Sequence, residues 1–250
     1  MEDEIVTIVE EAGVVHKSPI VIEGLPDVGL VGTIAASYIV EKMDYAKIGY
    51  VESDLFPPIM VVHDGKLHNP FRLYGNEQVV VVLSETVILP DAVYPMTRAL
   101  TDWFKVIGAE LVISVTGLPA KNRIDIEKPE VFGVADNDAA VKKLKDKEIE
   151  LLEEGFIAGT YAIMLRECKK RSLNAISLLG QCFPVYPDPG AAASAIKALD
   201  KFVPLGIDVS DLIEKEEEIK VKARDLMRQT TLSSQQMQKS AEQDMPIMYR

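Results

Sequence analysis

Runs rich in Val and Ile alternate along this chain with stretches whose apolar residues recur every three or four positions. Ile20–Glu23 (IVIE) reads as a strand that passes through GLPDVGLVG into an apolar helix, roughly Val28 to Lys42. Lys47–Val51 and Ile59–His63 read as further strands, separated by Pro57 and Pro58. Asp64-Gly65 suits a tight hairpin turn ahead of a strand over Lys66–Leu73. Gln78–Leu83 (QVVVVL) is apolar without alternation, the pattern of a strand covered on both faces.

Pro90-Asp91 opens a helix through Ile107, with Val93, Met96, Leu100, Trp103, Phe104 and Ile107 on one side and Gly108 as its cap. Glu110–Val115 (ELVISV) reads as the next buried strand. A helix over about Ile157–Arg171 leads to a strand at Asn174–Leu179. Another helix follows YPDPGAAASAIKALDKFV, with Asp188 as N-cap and Pro189 in its first turn. Strand and helix alternate with short connections, so the expected fold is α/β, a mainly parallel central sheet covered by helices.

Past Pro204-Leu205-Gly206 the character changes. Val209, Leu212, Ile219, Ala223 and Leu226 recur at helical steps through a highly charged stretch that Glu216 interrupts once. Two readings stay open: a helix docked on its own domain, or a short coiled-coil or oligomer-contact helix. Thr230–Asp244 is polar and reads as a flexible tether. It ends in DMPIMYR, whose Ile247, Met248 and Tyr249 are unusual in a terminus that nothing ties down. The expected division is a core domain over 1–204, a charged helix over 205–228 and a tether over 229–250.

Composition narrows the function. The net charge of −12, from 39 acidic against 27 basic residues, argues against nucleic acid as a partner, since phosphate binding needs a basic face. The chain has 2 cysteines, Cys168 and Cys182, too few for a disulfide framework or a zinc site. The first residues, MEDEIV, do not resemble a signal peptide, and no apolar run is long enough to span a bilayer. The expected location is the cytoplasm, with no membrane contact.

Candidate chemistry is sparse. Gly24, Gly29 and Gly32 lie between a strand and a helix, where backbone amides can hold an anion. Their spacing is neither GxGxxG nor a P-loop, and Asp27 puts negative charge there, so tight helix–strand packing is the plainer reading. TGLPAKNRIDI, with Lys121 and Arg123, follows a strand end and is the best place for a small-molecule pocket on fold analogy. His16, His63 and His68 show no metal-binding spacing, and no GxSxG elbow is present. No catalytic constellation, metal site or cofactor site emerges.

GLPDVGLVG, then VTGLPAKNRIDIEKPEVFGVAD, GFIAGTYAIML and YPDPGAAASAIKAL, resemble in order and spacing the blocks of the proteasome assembly chaperone family in its archaeal branch, over roughly residues 18–204. Met248-Tyr249-Arg250 is similar to the hydrophobic–tyrosine–any-residue ending of proteins that dock on the proteasome core particle. The resemblance implies a sandwich of the kind seen in nucleoside phosphorylases, without their activity. It implies a homo-oligomer whose tails enter pockets between α-subunits of the core particle. Arg250 would present its carboxylate to a lysine, Tyr249 its ring and hydroxyl, and Met248 adaptable apolar contact. Several weak tails on one oligomer would bind by avidity. Two rivals stand beside this: a phosphorylase-like small-molecule binder or enzyme, and a self-assembling protein whose tail is buried in its own oligomer.

Overall fold

Val80 and Val82 of the QVVVVL run point to one side of a sheet and Val81 and Leu83 to the other, and all are buried. That strand stands near the middle of the fold, as its unbroken apolar pattern predicts. The computed structural model describes residues 5–11, 13, 15–214 and 216–244, the side chains of 234 and 237–244 excepted.

Eleven strands are present among the described residues: β1 (Thr7–Glu10), β2 (Ile20–Gly24), β3 (Ala46–Glu52), β4 (Val61–His63), β5 (Lys66–His68), β6 (Phe71–Gly75), β7 (Val79–Ser84), β8 (Leu111–Pro119), β9 (Val131–Ala135), β10 (Glu150–Leu151) and β11 (Ala175–Cys182). The helices are α1 (Val31–Met43), α2 (Pro90–Val106), α3 (Asp138–Asp146), α4 (Thr160–Lys170), α5 (Pro189–Asp200), α6 (Ser210–Glu214) and α7 (Glu216–Asp244). Nine strands form one sheet in the order β1-β3-β6-β7-β2-β8-β11-β9-β10, and β4 and β5 make a separate hairpin.

The sheet is mixed, which corrects the expectation of a mainly parallel one. Its centre, β7-β2-β8-β11, is a parallel run, and the edge pair β9-β10 is parallel as well. One flank is an antiparallel meander, β1-β3-β6-β7, and on the other β9 runs antiparallel to β11. Alternation of apolar runs and amphipathic stretches fixes layers but not strand direction, and the short links among β3 to β7 leave no room for crossover helices. The predicted strand over Lys66–Leu73 is in fact β5 and β6, parted at Asn69-Pro70. Pro70 has no amide to give a ladder, and its carbonyl accepts the Glu85 amide instead.

The helices form two layers. α1, α3 and α5 cover one face, packing Val31, Ile34, Leu144 and Ile196 against Ile22, Ile113 and Ile176. α2 and α4 cover the other, packing Met96, Leu100, Phe104 and Met164 against Val21, Val82 and Val112. Pro90 and Pro189 stand in the first turns of α2 and α5, where a missing amide costs nothing.

α7 departs from expectation. It continues unbroken to Asp244 across the stretch read as a tether. Its residues there include good helix formers, and two polar ones pin it to the body. Ile219, Ala223, Leu226 and Met227 pack on the α1/α5 layer, while Thr230 and Ser233 are buried beyond them. The docked-helix reading therefore holds for that face. Met248, Tyr249 and Arg250 lie outside the described residues.

Candidate functional site

The parallel centre of the sheet brings the carboxyl ends of β2, β7, β8 and β11 to one edge, where open α/β sheets place their sites. The turn after β2 crosses that edge. A Cβ on Gly24 would stand 2.4 Å from the Gly32 carbonyl oxygen and 2.4 Å from the Ala36 Cβ; one on Gly32 would stand 2.1 Å from the Val115 carbonyl oxygen. Gly24 and Gly32 thus let β2, β8 and the first turn of α1 meet backbone to backbone. Gly29 has a φ of +65°, and a Cβ there would press on the Cys182 Sγ at 2.8 Å. These contacts support the packing reading. Asp27 stands beside the turn and accepts a hydrogen bond from the Thr116 Oγ1 at 2.7 Å, so an incoming anion would meet a carboxylate.

Lys121 and Arg123, two positions apart in the sequence, part company. Lys121 is exposed. Arg123 is buried and donates from Nε and Nη2 to the Asp188 carboxylate at 2.7 and 3.0 Å, and from Nη1 to the Ile126 carbonyl. Asp188 also accepts from the amides of Phe183 and Ala191, capping α5. The Arg123 guanidinium lies 5.0 Å from the Phe183 ring centroid. Each of the three guanidinium nitrogens of Arg123 thus helps hold the 120s loop in place, two of them in a bidentate, charge-assisted lock on the start of α5.

A second polar group was not singled out by sequence reasoning. Glu23 of β2, Ser114 of β8 and Ser177 of β11 are in register across three neighbouring strands, and all three are buried. Among the described residues, Glu23 Oε2, Ser114 Oγ and Ser177 Oγ have no hydrogen-bond partner. Burial pushes the Glu23 carboxyl up to about 7; Ser114 draws it partly back, without a bond of ordinary geometry, and the Asp27 charge raises it further. Asp27 keeps an edge open to solvent, yet the protein packed round its carboxyl pushes it up to about 6, against the pull of Thr116 and the Val28 amide. Tyr161 at the start of α4 is pushed up to about 12, by burial first and by Asp27 next. The signals were a glutamate inside IVIEG and hydroxyls at alternate positions of LVISVT.

α7 closes this edge. Its Ser233 donates to the Ile88 carbonyl at 2.9 Å, and Thr230 and Ser233 together with Asp27 and Thr160 wall a crevice of about 10 Å³. That space holds about one water molecule. The larger grooves lie along α7 itself, one of about 710 Å³ beside Val185 and Tyr186 and one of about 410 Å³ beside Ile34 and Leu212. Among the described residues no group of three or more His, Cys, Asp or Glu is placed to hold a metal ion, and no helix is long and apolar enough to cross a membrane.

This architecture has known relatives. A crystal structure of PbaA from Pyrococcus furiosus, described as an archaeal homolog of proteasome-assembly chaperone, superposes with a TM-score of 0.85 and 30% identity, covering 92% of this chain and 99% of that one. PbaB from the same organism, described as an archaeal proteasome activator, has the same fold, with a TM-score of 0.75 at 24% identity over 89% of this chain and 99% of that one. An uncharacterized protein of Methanocaldococcus jannaschii is 28% identical over 221 residues, 88% of this chain and 90% of the relative. The model of the PAC2 family matches residues 21–227, and the chain belongs to that family.

Proposed function

We propose that this protein is a homo-oligomeric, cytoplasmic assembly chaperone of the proteasome core particle that contacts the particle through Met248, Tyr249 and Arg250. One observation carries the reading: similarity in sequence and shape, over 92% of this chain, to PbaA, itself described as a homolog of proteasome-assembly chaperone. The resemblance of the final tripeptide to docking tails supports the route of contact. α7 supports it mechanically. Its 29 residues, at about 1.5 Å each, make a rod of about 43 Å that leads toward that tripeptide. Several such rods on one oligomer would supply the avidity that a single short anchor lacks.

Purified core particle, offered to the full chain and to a chain without residues 248–250, tests both parts. The expected result is capture of the full chain and loss of most capture on truncation. Equal capture of the two removes the tripeptide from the mechanism. Failure of the full chain to bind α-subunits or core particle removes the partner.

A further inference from the structure

A solvent-exposed phenyl ring preceded by two carboxylates, and an apolar groove that carries two guanidinium groups, occur in this one chain and share no residue. Phe156 is 94% exposed, in the loop between β10 and α4, and Gly155 separates it from the exposed Glu153 and Glu154. A ring so bare is unusual in an isolated soluble protein, where aromatic side chains normally retain some cover. Among the described residues neither glutamate belongs to a salt bridge.

The groove of about 710 Å³ runs between α7 and the loop after β11. Val185, Tyr186, Val221 and Leu232 line it, and each is half or more exposed. Arg224 and Arg228 line it too, and neither takes part in a salt bridge among the described residues. Glu217 and Lys220 also line the groove and pair with each other at 3.3 Å, so Arg224 and Arg228 leave it positive in a chain of net charge −12. The size suits a side chain with its flanking backbone. An aromatic anchor entering an apolar pocket with arginines around it is also the usual composition of an energetic centre in an interface.

We infer that the occupant is the 153–156 loop of a second copy of this chain: Phe156 enters the groove, and Glu153 and Glu154 meet Arg224 and Arg228. Each copy carries one knob and one groove with no residue in common, so head-to-tail repetition of the contact closes a ring or extends a chain of subunits. The inference rests on the homo-oligomeric part of the proposed function and not on its docking part. The charge pairs lie at the rim, so they set register and salt sensitivity, while the ring supplies the apolar contact.

Sedimentation velocity on the full chain tests it with two complementary variants. F156S loses the knob and keeps the groove; the double variant R224E/R228E loses the groove and keeps the knob. Each is expected to fall from the wild-type mass to that of one chain, 27.6 kDa, with the far-UV spectrum unchanged. Mixed one to one, they retain one good knob and one good groove between them, and a species of about twice the single-chain mass is expected. Y186E serves as a second groove variant if the arginine pair proves needed for folding. A wild-type chain that sediments as a monomer overturns the inference, as do variants that keep the wild-type mass. Dissociation on deleting residues 248–250 but not in F156S also overturns it, and gives the groove to a neighbour's terminus. Capture of core particle by variants that remain oligomeric would leave the docking proposal standing while this contact falls.

Discussion

Glu23 and Glu167 belong to the same side of the sheet and are equally hidden, each 2% exposed, yet they are opposite acids. Burial drives Glu23 up to about 7. Hydrogen bonds from Lys170 first, then Arg171 and Arg166, outweigh burial and pull Glu167 down to about 2. Lys170 Nζ stands 2.7 Å from Glu167, Arg171 Nη1 2.9 Å and Arg166 Nη2 3.1 Å. Glu167 is covered by the very cations that pair with it, so water is close behind them. Glu23 lies on the sheet beneath a helical layer, with two unpartnered serine hydroxyls in register beside it. Lack of exposure alone therefore does not set the charge of a side chain. The groups that cover it do.

Asp188 offers the sharpest way to test that lesson, because it can be moved from one class to the other. It is wholly buried, and Arg123 satisfies it bidentately. Arg123→Ala leaves an uncompensated acid at the start of α5, and the expected loss of stability is about 3–5 kcal/mol at pH 7. Chemical denaturation measures it. Arg123→Lys keeps the charge without the fork and is expected to recover only part of the loss. An alanine variant as stable as wild type would show that the lock contributes nothing to the fold.

The two glutamates come next, and here the signs oppose. The folded-state value of Glu23 lies above its ordinary 4.5, so the fold favours the neutral acid. That contribution is complete below about 4.5 and is lost as pH rises through about 7, leaving a cost of about 3 kcal/mol in alkali. Glu23→Gln is thus expected to stabilise the protein by about that amount at pH 8 and hardly at all at pH 4. Glu167 is displaced downward, so its contribution is present above 4.5 and lost as pH falls through about 2. Glu167→Gln is expected to destabilise at pH 8 by about 1–2 kcal/mol, discounted for screening by nearby water. Denaturant midpoints of both variants across pH 4–8 decide the matter; shifts of the same sign at pH 8 would refute the contrast.

Legibility followed the same divide between pattern and partner. The two-faced burial of β7, the apolar stripe of α2 and the Asp188 cap were all readable, because each is a local rule of spacing or side-chain chemistry. Strand direction in the meander was not, since parallel and antiparallel neighbours bury the same residues. α3, capped by Asn137, was passed over because its short run of Lys and Asp carries only Ala140 and Leu144 inward. Arg123 was read as a ligand candidate because its partner lies 65 residues away. The row Glu23–Ser114–Ser177 spans three strands, and only strand order and register bring its members together. The length of α7 was missed for a related reason: Thr230 and Ser233 look like tether residues until Ile88 and the β2 turn are seen beneath them.

Ser177 provides the finest test, with the smallest effect. Its hydroxyl is fully buried and unpartnered among the described residues, opposite Ser114 on β8 and Val134 on β9. A hydroxyl desolvated without compensation disfavours the fold, so deleting it should relieve that cost while leaving a void of a single atom. Ser177→Ala is expected to change stability by less than about 1 kcal/mol, toward greater stability. Should urea denaturation show a loss above about 2 kcal/mol instead, the hydroxyl would have to be hydrogen-bonded, with a buried water the simplest partner. Glu23, next but one across the sheet, would then belong to a hydrated network, and the stabilisation expected of Glu23→Gln at pH 8 should shrink with it.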